Sequence, residues 1–269
     1  AEFDATDAWR REDYLLRSHA EGLYVIGATD LAVSNAVWDL LYRLGYRHFF
    51  PGDHWEIVPH RADLSISVDK KEHPDYVSRQ IHYAFGDWKN LNQLPVWNKH
   101  NRMAEGLDIH AGHSYDRIYR DNKAEFERHP EYLCTPKKRN MKFRVSNPAL
   151  RQLVVEWALD WFEKHPEAEC ISVDPSDGGG WENAEEEMVF KNVTDRVVTL
   201  ANEVAAAVEK KYKNKYVGIY AYNYHSSPPT IRLHPKVVVF VATGYIKGGE
   251  TVEQLMEGWK KQGATILGM

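Results

Sequence analysis

Residues 170–181 read Cys-Ile-Ser-Val-Asp-Pro-Ser-Asp-Gly-Gly-Gly-Trp, a short β-prone apolar run followed by two carboxylates, a proline, three glycines and an indole. Cys170 to Val173 predicts a buried strand, and Pro175, which has no N–H to give to a sheet ladder, stops it at Asp174. Asp174 and Asp177 are therefore expected at the C-terminal end of a strand. Gly178, Gly179 and Gly180 can take positive φ and leave no side chain between the backbone and a ligand, and Trp181 offers a flat face beside them. The same residues also suit an ordinary Asp/Gly-rich turn with solvated carboxylates, so the surrounding pattern has to decide.

Outward from this turn, strand patterns alternate with amphipathic helices. Upstream, Asn147 caps and Pro148 opens a helix that buries Leu150, Leu153, Val154, Trp157, Ala158 and Trp161 on one stripe before Pro166. Downstream, a helix is expected to carry Val189, Val193, Val197, Leu200, Ala201, Val204 and Val208 and to feed a strand at Val217–Tyr222. A second apolar run, Val237–Ala242, follows. Thr251 and Gln254 have the spacing of a capping box for one more helix, which Gly263 closes before Ala264–Met269. Apolar strands separated by helices imply a parallel sheet with helical crossovers. His110-Ala111-Gly112-His113-Ser114, the Asp174–Trp181 turn, Tyr222-Asn223-Tyr224-His225 and Thr243-Gly244-Tyr245 all follow strands, where (β/α)8 barrels build their sites. A doubly wound open sheet is the alternative. With Val77–Phe85 and Leu107–Ile109 included, about six strands are expected, against the eight of a closed barrel. The chain opens at Ala1 rather than Met and ends inside a strand pattern, which fits an excised and truncated polypeptide.

The N-terminal part is patterned differently. Residues 13–26 predict two short strands around Glu21-Gly22, and a helix with Asp30 as cap follows, with Val33, Val37, Leu40, Leu41 and Leu44 at helical spacing and Gly45 as its stop. Arg47–Phe50 and Leu64–Val68 read as strands. The charged, proline-bearing Asp69–Asp75 reads as a linker. These features predict an N-terminal α/β domain over 1–72 and a barrel-type domain over 73–269.

Composition narrows the function classes. The 269 residues are 27% charged with a net charge of -5, so no basic field points to nucleic acid. No apolar run approaches the roughly 18 residues that a membrane span needs. Cys134 and Cys170, the 2 cysteines, lack metal-ligand spacing and do not form a disulfide framework. The 9 Trp and 15 Tyr suit either core filling or the stacking surfaces of sugar clefts.

Glycoside hydrolysis usually needs one protonated carboxyl to donate to the leaving oxygen and one ionised carboxylate to attack or to activate water. Asp177 is the first candidate, because it lies past the proline break and beside the glycines. Asp174 either joins it or orients the turn. Glu182 either acts with them or is the first solvated acid of a helix that continues with Glu185, Glu186 and Glu187. His110 and His113, three apart after a strand, can contact sugar hydroxyls or carboxylates, hold structural hydrogen bonds, or ligate a metal with Asp174 or Asp177. No HExxH helix or cysteine cluster backs the metal reading, and neither a metal nor a cofactor is expected. Arg79 can pair with a uronic carboxylate through its planar fork or sit as a core ion-pair partner. Trp181, Tyr222, Tyr224, His225 and Trp88 complete the candidates for substrate contact.

Leu23-Tyr24-Val25-Ile26-Gly27-Ala28-Thr29-Asp30, Ala36–Leu41, Leu44–Gly52 and Val58-Pro59 resemble the N-terminal domain of α-glucuronidase-like glycoside hydrolases. The chain resembles in particular a bacterial family of uncharacterised proteins, a domain of unknown function, that joins this domain to a barrel. His113-Ser114, His129-Pro130-Glu131-Tyr132, Ser146-Asn147-Pro148, Asp177–Gly180, Ala201–Ala205, Tyr220-Ala221-Tyr222 and Pro228-Pro229 extend the resemblance over most of the chain. It departs at Trp181-Glu182-Asn183-Ala184, where relatives often carry a cysteine pair, and it lacks the adjacent Asp-Glu pair of related β-hexosaminidases. The resemblance implies a periplasmic or secreted carbohydrate-active enzyme of glycoside-hydrolase type, acting on a poly- or oligosaccharide that can contain uronic acid. A non-catalytic glycan-binding module and a metal-dependent hydrolase are the alternatives.

Overall fold

The computed structural model describes residues 3–79, 92–103, 107–134 and 140–269. The chain divides into two compact units, Ala1–Leu107 and Asp108–Met269. The expected boundary at 72/73 falls inside the first.

In the first unit, β1 (Tyr14–His19) and β2 (Gly22–Gly27) form the expected hairpin, paired from Tyr14–Gly27 to His19–Gly22. Thr29, one residue before the expected cap, accepts the Ala32 N–H and opens α1 (Asp30–Arg43), and Gly45 at φ 102° lets the chain leave it. The buried face of α1 is Ala32, Asn35, Ala36 and Asp39, whereas Val33 and Val37 of the expected stripe are exposed. Small residues let the helix sit close to the sheet, and Asn35 reaches the carboxylate of Glu12 at 2.9 Å.

The strand expected at Arg47–Phe50 shrinks to β3 (Arg47–His48), paired with β4 (Glu56–Ile57). Two further expectations change places. Leu64–Val68 is not a strand, and the charged stretch expected as a linker holds β5 (Asp69–Glu72), which pairs with β1 on the side away from β2. An edge strand tolerates charge, since one side of its ladder meets water. α2 (Leu94–His100) closes this unit. Of the expected strand Val77–Phe85, Val77, Ser78 and Arg79 have no strand pairing and the rest lies outside the described residues, as does Trp88.

The second unit carries α3 (Tyr115–Asp121), α4 (Lys123–Arg128), α5 (Pro148–Lys164), β6 (Cys170–Ser172), α6 (Ala184–Val189), α7 (Val193–Lys211), β7 (Tyr216–Asn223), β8 (Val237–Ile246), α8 (Val252–Lys261) and β9 (Ile266–Gly268). The sheet order is β6-β7-β8-β9, every pair is parallel, and the strands follow one another in chain order. Among the described residues this sheet is open, with four strands rather than a closed barrel. Ile171, Val173, Val217, Ile219, Ala221, Val237, Val239 and Val241 form one buried face in a single core with Leu150, Val154, Val197, Leu200, Val204 and Trp259 of the helices. The helix expected from Val189 onward is two helices, since Asn192 caps α7 by accepting the Asp195 N–H at 2.7 Å and leaves Val189 exposed.

Two caps behave as the sequence implies. The Thr251–Gln254 capping box forms, and Asn147 accepts the N–H groups of Ala149 and Leu150 at 2.9 and 3.3 Å. Asn147→Ala leaves both donors to water, so urea unfolding of the variant is expected to show a loss of about 1 kcal/mol. A loss under about 0.3 kcal/mol would mean that the packing of α5 holds the helix start without its cap.

On β6 and β7 the other face of the sheet carries polar side chains. Cys170, Ser172 and Asp174 alternate along β6 and its end, and Gly218, Tyr220 and Tyr222 run beside them on β7. The segment 107–113, expected to hold a strand at Leu107–Ile109, lies against this face and forms no ladder of its own. Side chains hold it instead. The Cys170 thiol donates to His110 O at 3.2 Å, the Ser172 hydroxyl to Gly112 O at 2.6 Å and the Tyr220 hydroxyl to Ala111 O at 2.9 Å. Gly218 makes this approach possible, because a Cβ there would stand 1.9 Å from His110 O. The segment joins the sheet at one isolated parallel bridge, His113 to Asp174.

Candidate functional site

That bridge sets the site. Ser114 donates to Asp174 O from its N–H at 2.9 Å and from its hydroxyl at 3.0 Å, which fixes the end of the 107–113 segment against the end of β6. The Asp174 side chain is fully buried. One oxygen, Oδ2, lies 3.0 Å from His113 Nδ1, and the other, Oδ1, accepts the Tyr220 N–H at 2.8 Å and lies 3.3 Å from His225 Nε2. Burial alone would raise the pKa of this carboxyl, but the hydrogen bonds of His113, His225 and the Tyr220 N–H outweigh it, and the net direction is down. A carboxylate so enclosed is out of a substrate's reach. Asp174, expected either among the catalytic acids or as a group that orients the turn, is enclosed and bonded to His113 and His225.

His113 is what it positions. Its Nδ1 also lies 2.7 Å from Pro175 O. Both neighbours of Nδ1 are acceptors, so Nδ1 carries a proton and Nε2 is the free end. Nε2 points toward Asp177, 3.9 Å from Oδ1. The hydrogen bond to Asp174 raises the pKa of His113 above the usual imidazole value, against its partial burial. Asp177 is 60% exposed and accepts the Tyr222 hydroxyl at 2.9 Å and the Gly178 N–H at 2.6 Å. Those bonds, the Tyr222 bond foremost, move its pKa down. An imidazole whose surroundings favour its protonated form and a carboxylate whose surroundings favour ionisation thus stand side by side.

The opposite shifts define a pH window. The folded state holds the His113 proton more tightly than the unfolded chain, so this stabilisation is complete below about pH 6.5 and fades as pH rises through the folded value; for Asp174 the folded value is depressed, so its share is present above about pH 4 and fades below. The difference in melting temperature between wild type and His113→Gln is expected to peak between about pH 4 and 6.5 and to shrink above neutrality. Melting curves in a pH series measure it, and a difference independent of pH would remove the pair from the stability of the fold.

The turn that carries Asp177 is pinned from beneath by Lys142, which the sequence reading did not single out. Its fully buried ammonium donates to the carbonyls of Ser176 at 2.7 Å, Asn140 at 3.2 Å and Asp177 at 3.3 Å, and burial lowers its pKa to about 8. Gly178 and Gly180 sit at φ 74° and 91°, the left-handed region that favours glycine, and pack on Asn140. No local signal marks Lys142, since residues 141–145 read Met-Lys-Phe-Arg-Val as an ordinary mixed stretch.

Other expected residues fall elsewhere. Trp181 is only 6% exposed and lies between two cations, with Lys142 Nζ 5.0 Å and Arg196 Cζ 5.1 Å from its ring. Its ring is held between these cations, and the small part left open borders the depression that Glu182 lines. Arg196 is ion paired with buried Glu186 at 2.8 Å, and Glu186 accepts the N–H groups of Val145 and Ser146. Glu182 is exposed in a separate depression with Glu187, Phe190 and Lys191. His110 is exposed, with Nδ1 3.5 Å from Asp108, and it contributes its carbonyl to the segment's anchorage. Arg79 belongs to the first unit, where it donates to the Glu12 carboxylate and to the carbonyls of Arg102 and Tyr76. His225 is buried. Among the described residues no three His, Cys, Asp or Glu are grouped to hold a metal ion, since His110 and His113 turn to different partners. Both cysteines are free and buried.

The exposed surface next to Asp177 is aromatic. The Tyr222 ring lies 5.7 Å from His113 and 6.0 Å from Tyr245, which is 77% exposed at the end of β8. Tyr224 is also exposed, with Lys247 Nζ 5.2 Å above its ring. Tyr245 lay in the strand-end Thr243-Gly244-Tyr245 cluster but was not among the expected contacts.

Residues 50–262 match a family described as "Domain of unknown function (DUF4838)". None of the curated proteins matches the chain. A solved structure that it resembles is the beta-N-acetylhexosaminidase from Bacteroides fragilis NCTC 9343, with 12% identity and a TM-score of 0.49, over 98% of this chain and 62% of that one. The chain therefore spans less than two thirds of that enzyme's length. No described helix is long and apolar enough to cross a membrane.

Proposed function

We propose, for a chain that belongs to the DUF4838 family, that the second unit is a carbohydrate-active domain of glycoside-hydrolase type, with its site at the C-terminal ends of β6, β7 and β8. Parallel strands in chain order, with functional groups at their C-terminal ends, are also how the wall of a (β/α)8 barrel is built, and this supports the barrel reading of the sheet. The observation that carries the functional reading is the pairing of His113 Nε2 with Asp177 at 3.9 Å beside the half-buried ring of Tyr222 and the exposed ring of Tyr245.

Sugar rings present C–H faces that stack on tyrosine and hydroxyls that bond to carboxylate and imidazole. The stacked sugar then meets two groups whose surroundings push their proton affinities apart, which is the arrangement acid and base chemistry uses. His113, held through Nδ1 by Asp174, gives the Nε2 proton to a leaving oxygen. Asp177, ionised, stabilises positive charge at the sugar carbon or orients water toward it. The Tyr222 hydroxyl holds the Asp177 carboxylate in place.

The test is a panel of oligosaccharides, with and without uronic acid, offered to the full-length protein and to Asp177→Asn. Hydrolysis by the wild type that falls at least 100-fold in the variant is expected. Equal turnover by both would remove Asp177 from the chemistry. One observation favours a second reading, a glycan-binding module: of the three acids expected to act, Asp177 alone is exposed at this turn, because Asp174 is buried and Glu182 lies in another depression. Calorimetric binding without turnover would decide for it.

A further inference from the structure

The Asp174 carboxylate serves two imidazoles. His113 takes Oδ2, and His225, buried at the turn after β7, takes Oδ1 alongside the Tyr220 N–H. The two imidazoles have different surroundings. His113 is partly open to solvent and its free nitrogen faces Asp177. The second nitrogen of His225, Nδ1, is buried with no hydrogen-bond partner in the described structure, so a proton placed there would have no acceptor. The contact to an acceptor-only carboxylate oxygen puts the His225 proton on Nε2.

We propose that His225 is a positioning residue: by donating to the second oxygen of Asp174 it fixes the carboxylate plane and limits how strongly Asp174 holds the proton of His113. A carboxylate that accepts from two sides has less charge to offer either donor. Without His225, Oδ1 keeps only the Tyr220 N–H, Asp174 offers more of its charge to His113, and the imidazolium gives up its Nε2 proton less readily. With His225 in place, His113 stays oriented and its proton remains transferable. The groups facing His113 are Asp174 and Asp177 on the strand-end turn, Tyr220 and Tyr222 of β7 and, beyond Asp177, the ammonium of Lys142. Among these His225 touches Asp174 and packs on Tyr222, with ring centroids 6.3 Å apart, so its removal acts on His113 through the carboxylate.

The experiment follows the ring resonances of His113 by NMR through a pH titration of the full-length protein without substrate. In His225→Leu, and in His225→Asn, whose shorter side chain does not reach Oδ1, the His113 midpoint is expected to rise by about 0.5–1 pH unit. His225→Gln, whose amide can donate to the same oxygen, is expected to fall back toward wild type. If the leucine variant does not fold, the asparagine and glutamine pair carries the comparison. A His113 midpoint that stays put or falls in the folded asparagine variant overturns the proposal. The role of His113 in turnover rests on the proposed function, but the titration is read without any sugar, so failure of either is visible separately. On a hydrolysed substrate, the alkaline limb of the rate profile should move up with the midpoint.

Discussion

Asp174→Asn is expected to cut turnover of any hydrolysed oligosaccharide by about 10³–10⁴-fold while leaving the fold in place, which is the scale seen when the carboxylate behind a catalytic histidine is neutralised. The asparagine oxygen can still accept from Tyr220 N–H and His225 on the Oδ1 side, so its amide NH2 then faces His113. Two donors cannot share that contact, so His113 Nδ1 is left with Pro175 O as its acceptor, and no charge remains at residue 174 to stabilise an imidazolium. The His113 midpoint should drop to the ordinary imidazole value or below. Rate measurements beside the NMR titration check both parts. Full activity with a lowered midpoint would separate the Asp174–His113 pair from the chemistry and leave it a purely structural role.

Gly218→Ala is expected to destabilise the second unit by more than about 3 kcal/mol, beyond the usual cost of overpacking. The added carbon would meet the backbone oxygen of His110 at 1.9 Å, and a backbone atom cannot rotate aside as a side chain can. The segment must lift from the sheet, which breaks its bonds to Cys170, Ser172 and Tyr220 and drags His113 from Asp174. Gly179→Ala is the control: a Cβ there meets nothing within 4 Å and its backbone is not in the left-handed region, so a change within about 0.5 kcal/mol is expected. Urea unfolding of the three proteins measures the difference. Equal midpoints would show that the segment is not held by its close approach to β7.

What the sequence disclosed was local. Pro175 after an apolar run, Asn147-Pro148 before one, and Thr251 with Gln254 each act over a few residues, so the end of β6 and the starts of α5 and α8 were legible. Asp177 and Tyr222 were legible together because neighbouring parallel strands bring their ends side by side, whereas His113 joins them from a segment that forms no strand. What each member does was not legible. Asp174 was expected as an acid in reach of substrate and is enclosed, because its donors come from residues 113, 220 and 225, far apart in the chain. Trp181 was expected as an open ring and is closed over by Lys142 and Arg196, which arrive from either side in sequence. Arg79 was expected either at a uronic carboxylate or as an ion-pair partner in the core, and its pairing with Glu12, 67 residues away, is the second of these. Burial created by distant partners leaves no periodic trace.

Tyr245 has a bearing on recognition that goes beyond its exposure. Its φ of 58° and that of Asn223, 51°, place two residues of adjoining strand ends in a sparsely populated backbone region, beside the register shift between β7 and β8. Holding a tyrosine there costs on the order of 1–3 kcal/mol, a cost met during folding and before any ligand arrives. Its backbone is thus already confined in the free protein, and a sugar docking on the ring has less chain entropy to remove. Affinity at this edge should therefore depend on rigidity as much as on contact: Tyr245→Phe keeps both, whereas loosening the end of β8 with glycine at Gly244's neighbour Thr243 would leave the ring present and weaken its hold.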